Sequence, residues 1–185
     1  MSKKQSIIFV LAIVSIGIAG RLLPHPWNTT PITAIAIFSS AYLGFRRSSG
    51  ILLAIMLATD FFLGFYQWQI MIAVYGSFFI VCGIGLIMKK RQTAGLVFAS
   101  AIGSSLVFFL ITNWAVWQFG SMYEHSLAGL FQSYFMALPF FRNSLFGDIF
   151  YTTALFGAMY VVNVYSARRS KASVFSYQHK ALSQT

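Results

Sequence analysis

The charges of this chain are few, and they punctuate long apolar runs instead of mixing with them. Basic residues cluster at Lys3–Lys4, Arg46–Arg47, Lys89–Lys90–Arg91 and Arg168–Arg169 with Lys171, then singly at Lys180; of the 13 Lys and Arg, only Arg21 and Arg142 fall elsewhere. Six helical segments crossing a bilayer, the first starting inside, would put every cluster on the cytoplasmic side and the two exceptions on the other. Basic loops are held in the cytoplasm, so the pattern predicts orientation as well as class. The expectation is an all-α, polytopic membrane bundle of six transmembrane helices with both termini cytoplasmic.

Composition agrees. Of 185 residues, 58% are hydrophobic and only 9% charged, against about 25% charged in a soluble domain. The net charge of +10 sits at loop ends, where it orients the chain and attracts anionic lipid, so no nucleic-acid partner is expected. Cys82 stands alone in an apolar run and reads as a buried, inert thiol.

A helix rises ~1.5 Å per residue and needs about 20 residues to cross the hydrocarbon core. The expected spans are residues 6–23, 31–45, 51–66, 69–88, 94–117 and 144–165. Pro24 and Pro26 end the first, because proline removes a donor and restricts the residue before it. The second is short, which a shield of surrounding protein would allow. Residues 120–142 carry Leu127, Leu130, Phe131, Tyr134 and Phe135 at helical spacing and predict an amphipathic or re-entrant outer segment before the last helix. One transmembrane domain, 1–166, with a basic, mobile cytoplasmic tail, 167–185, is the expected organisation. The first segment also has the look of a signal peptide, with two lysines, an apolar stretch and the small residues Gly17 and Ala19.

Only three carboxylates exist, and two of them, Asp60 and Asp148, lie in expected spans. A charge at membrane depth costs at least ~2.5 kcal/mol, so each needs a partner, a polar cavity or a proton. At the outer level the chain also gathers Arg21, His25, Trp27 and Asn28, then Tyr66 and Tyr75, Asn113, Trp114 and Trp117, and Arg142 with Asn143. An aromatic belt at the interface accounts for the rings but not for the Arg, Asp and Asn beside them. The expected substrate site is an outward-facing pocket lined by Arg21, Asn28, Asp60, Tyr75, Asn113, Trp114, Trp117, Arg142, Asn143 and Asp148. Flat rings with a few polar anchors suit a planar heterocycle. Segment 120–141 would serve as its lid.

The chain has no phosphate-binding G-x-x-x-x-G-K-[ST] loop, no G-x-S-x-G elbow and no H-E-x-x-H helix, so it brings no nucleotide-driven motor of its own. No cofactor, metal or catalytic group is expected. The rival readings are a membrane enzyme acting on a lipid-linked substrate, with an acid/base pair among Asp148, Glu124, His25 and His125, and a non-catalytic assembly subunit whose small-residue faces bind a partner.

Four stretches carry a resemblance: Arg21-Leu-Leu-Pro-His-Pro-Trp27-Asn28-Thr-Thr-Pro31, Thr59-Asp60-Phe-Phe-Leu-Gly64-Phe65, Thr112-Asn113-Trp114-Ala-Val-Trp117, and Pro139-Phe140-Phe141-Arg-Asn143-Ser-Leu-Phe-Gly147-Asp148. They resemble an uncharacterised bacterial family of six-span proteins, from about residue 7 to 163. That family is similar in size, span number and orientation to the substrate-binding S components of energy-coupling factor (ECF) vitamin transporters. The resemblance implies a protein of the bacterial cytoplasmic membrane, not an enzyme, that takes up a vitamin or related micronutrient. It further implies an ECF-type transmembrane coupling subunit with ATPases as partner. The Ala-x-x-x-Ala face frequent on the first helix of S components is represented here only by Ser15 and Ala19, while Ala54 and Ala58 lie on the third. That departure fits a protein working without the shared module.

Overall fold

The computed structural model describes residues 3–24 and 28–182, with side chains described for 7–24 and 28–168. His25 and Trp27 lie outside the described residues. Among the described residues the chain is all-helical, with six helices: α1 (Lys3–Leu22), α2 (Ile32–Leu43), α3 (Phe45–Leu63), α4 (Trp68–Ile87), α5 (Ala94–Phe119) and α6 (Leu127–Leu182). Three are long and apolar enough to cross a membrane: α4, α5 and, within α6, Leu127–Arg168. Ile7–Leu22 and α2 are shorter apolar helices.

The centre of the bundle is α2. It packs on α1, α3, α4 and α5, and every residue from Ile32 to Ala41 is buried. Its 12 residues reach only about 18 Å. Surrounding protein encloses it, which removes the need for it to match a bilayer by itself. Two hydroxyls on its otherwise apolar surface bond outward and inward. Ser39 shares a 2.5 Å hydrogen bond with Ser48 of α3, and Ser40 donates to the Cys82 carbonyl of α4 at 2.6 Å. Gly85 of α4 faces this stretch, where any Cβ would run into the backbone of Ile37 and the Ser40 side chain. Small residues let the two backbones approach, as dispersion-driven packing between membrane helices requires.

Two boundaries differ from the sequence expectation. Helix α3 begins at Phe45, not Ile51, because Gly44 alone joins it to α2, at φ 82, a left-handed value that glycine adopts freely. Arg46 and Arg47 thus occupy the first turn of α3, and Ser48 is drawn into the core by Ser39 and Cys82. The second difference concerns residues 120–142. Only 120–126 are non-helical; from Leu127 the chain is already α6, with Pro139 inside the helix. This part runs as the antiparallel partner of α5. The Tyr134 hydroxyl donates to the Leu110 carbonyl at 2.9 Å, and Phe109 packs on Tyr134 and Phe141 with ring centroids 5.5 and 4.6 Å apart. The 42 residues of Leu127–Arg168 are about twice the length of a single span.

By compactness the chain divides into residues 1–153 and 154–185. The first unit contains every expected site residue. The second is the remainder of α6, helical through Leu182.

Candidate functional site

Two adjoining cavities, of about 170 and 120 Å³, open at the end of the bundle where α1, α3 and α5 finish and α2 and α4 begin. Asn28, Phe108 and Ser144 belong to the walls of both. The larger is bounded by Arg21, Thr33, Met56, Phe78 and Asp148 among others, and the smaller by Ser105, Phe109, Thr112, Asn113 and Phe141.

The polar wall is built from hydroxyls placed among apolar residues. Asp148 is 4% exposed. Its Oδ2 accepts a 2.6 Å hydrogen bond from Ser105 of α5, and the Thr33 hydroxyl of α2 also bonds to the carboxyl. Gly147, next to it, lies against Thr29, whose methyl a Cβ would meet at 2.9 Å. One turn earlier, Ser144 donates to the Asn28 carbonyl at 3.1 Å. Asn28 has φ 59, a left-handed conformation in which asparagine is enriched. The 28–30 loop is thereby held on α6 across the cavity mouth.

The aromatic wall comes from Phe78 and Phe108, whose ring centroids are 4.9 Å apart, with Phe109, Phe140 and Phe141 around the smaller cavity. Asn113 sits at its edge. Its amide nitrogen donates to the Phe109 carbonyl at 2.8 Å, which leaves the second N–H and the side-chain oxygen able to bond.

Behind the larger cavity lies an ion pair. Arg21 of α1 donates from Nη2 to Asp60 Oδ1 of α3 at 2.7 Å and from Nη1 to the Met56 sulfur at 2.8 Å. Tyr75 of α4 donates to the other Asp60 oxygen at 2.6 Å. Asp60 is 1% exposed and reaches neither cavity. All three helices contribute wall residues, through Arg21, Met56 and Phe78, while the carboxylate itself holds α1, α3 and α4 together.

The remaining expected residues are placed elsewhere. Trp114 lines a separate apolar groove of about 360 Å³ with Trp68, Ile72 and Phe119. Trp117 donates from Nε1 to the Glu124 carbonyl at 2.9 Å and meets the His125 ring edge-on, so it caps the α5–α6 turn. Arg142 is exposed and Asn143 half-buried, and neither lines a cavity. Ala137, Phe140 and Phe141 are the residues of segment 120–141 that do. Thr33, Met56, Ser105, Phe108 and Ser144 were not singled out in the sequence. The available signal for Ser105 was a Ser104-Ser105 pair in the middle of a 26-residue apolar helix. Among the described residues, no three His, Cys, Asp or Glu gather as a metal site would need.

A family model matches residues 1–172 of the chain, that of DUF6580, described as a family of unknown function. The chain belongs to DUF6580. Neither a curated protein nor a solved structure matches it. In this member of DUF6580, Asp148, Ser105 and Asn113 gather at the cavity pair that the 28–30 loop and α6 help to line.

Proposed function

We propose that this chain is a six-span protein of the bacterial cytoplasmic membrane that captures a small molecule from the outer side and takes part in its uptake, in the manner of an S component. The observation that carries this reading is the cavity pair. A membrane bundle gains nothing in stability from open space ringed by Asp148, Asn113, Thr33 and Ser105, since polar groups at that depth are costly unless they serve a partner. Aromatic walls with a few convergent polar groups are the usual make-up of a ligand pocket.

The charge pattern supports the orientation. Arg46 and Arg47 start α3 and Lys89–Arg91 follow α4, at the end of these helices remote from the cavities, while Arg21 lies at the cavity end. With basic loops inside, the cavities face out. Whether an ATPase-bearing coupling subunit drives release is part of the same proposal, and the Ser15/Ala19 face of α1 would be its weakest contact.

Accessibility tests the outward pocket. Ser144→Cys in a Cys82→Ser background should react in spheroplasts with a membrane-impermeant methanethiosulfonate. Labelling only in inverted vesicles would overturn the reading.

A further inference from the structure

The charges around the larger cavity do not cancel. Arg21 is matched by Asp60 at 2.7 Å, the ion pair found among the described residues. Asp148 stands on the same cavity wall, almost fully buried, with hydroxyl partners and, among the described residues, no cation. Arg142, six residues earlier, is exposed and outside the wall. A buried carboxylate that lacks a positive partner is among the costliest groups a bundle can carry, unless it takes up a proton or its counter-ion arrives from outside.

One N–H of Asn113 goes to the Phe109 carbonyl, and its side-chain oxygen adds a hydrogen-bond acceptor at the smaller cavity. Phe78 and Phe108, at 4.9 Å, add ring faces of the kind that attract cations once water is excluded. The volume of about 170 Å³ compares with roughly 150 Å³ for an apolar cavity that holds benzene. One ring with a small substituent fits, and the second cavity leaves room for another short group.

We infer that the cavity takes a small organic cation, a planar aromatic or heteroaromatic ring bearing a basic nitrogen, with the Asp148 carboxylate as its counter-ion. The inference rests on the pocket reading above and names the charge of its ligand. An anion would meet Asp148 and find Arg21 already engaged.

Three molecules of nearly one shape test it: benzamidine, a cation at neutral pH, neutral benzamide, and anionic benzoate. Equilibrium dialysis against the full-length purified protein should show benzamidine binding roughly tenfold or more tighter than the other two, the worth of a charge-assisted hydrogen bond. Asp148→Asn should remove that preference, bringing benzamidine down to the level of benzamide. Should Asp148→Asn fail to fold, the wild-type ranking alone still decides. Benzamide or benzoate binding as well as benzamidine would overturn the cation inference and leave the pocket standing. Binding of none of the three would overturn both.

Discussion

Arg21 and Asp60, 39 residues apart in sequence, meet at 2.7 Å and close α1 onto α3 with Tyr75 of α4 on the second carboxylate oxygen. The pair is buried at the cavity end of the bundle, so its loss would be felt both in stability and in the cavity wall. Removing one member of a buried pair strands the other and costs about 3–5 kcal/mol. Arg21→Ala and Asp60→Ala should each lower the unfolding midpoint in detergent sharply. The double variant Arg21→Met/Asp60→Leu should recover most of the loss, because no stranded charge remains.

Gly85 and Gly83 make a paired test of the α2–α4 contact. Gly85→Ala places a methyl against the Ile37 backbone, whereas Gly83→Ala meets nothing within 4 Å. Overpacking of this kind costs about 1–3 kcal/mol. Thermal unfolding should separate the two variants, with Gly83→Ala equal to wild type or better.

Ser105 and Thr33 support Asp148 from α5 and α2. Ser105→Ala should weaken ligand binding and cost about 1–3 kcal/mol in stability, the price of a buried acceptor left without its donor. Thr33→Val should act in the same direction. Ligand titration of both variants beside a thermal melt distinguishes them from surface changes, which would move neither.

Much of this was legible in the sequence, and the physical reasons separate the parts that were not. Proline at 24 and 31 marks the end of α1 and the start of α2 directly, whereas Gly44, which joins α2 to α3, was not read as a boundary. Asp60 and Asp148 stood out because a carboxylate in an apolar run demands company. Arg21 and Tyr75, the companions of Asp60, were among the expected residues, but Ser105 and Thr33, those of Asp148, did not stand out, since packing between helices brings them near. Trp114 and Trp117 lie outside the cavity pair, since a tryptophan reads alike in sequence whether it lines a pocket, an apolar groove or a turn. The start of α6 was hidden by Pro139, which reads as a break in sequence but is accommodated where Tyr134 and Phe141 bind the helix to α5.

The proposed orientation makes a prediction of its own. A green fluorescent protein fused after Thr185 should fluoresce in a bacterial host, and alkaline phosphatase at the same place should stay inactive. Replacing Lys89, Lys90 and Arg91 by glutamine should weaken that preference, because basic residues in short loops set orientation.

The central claim is that the cavity beside Asp148 holds a small molecule. Native mass spectrometry of the protein purified in mild detergent tests it most directly, with wild type beside Phe108→Trp, which fills the shared wall of both cavities. The account predicts one stoichiometric small molecule released from the wild type on denaturation and none from a folded Phe108→Trp. A wild-type protein that is empty and takes up nothing from host extract would contradict it, as would one whose ligand survives in Phe108→Trp.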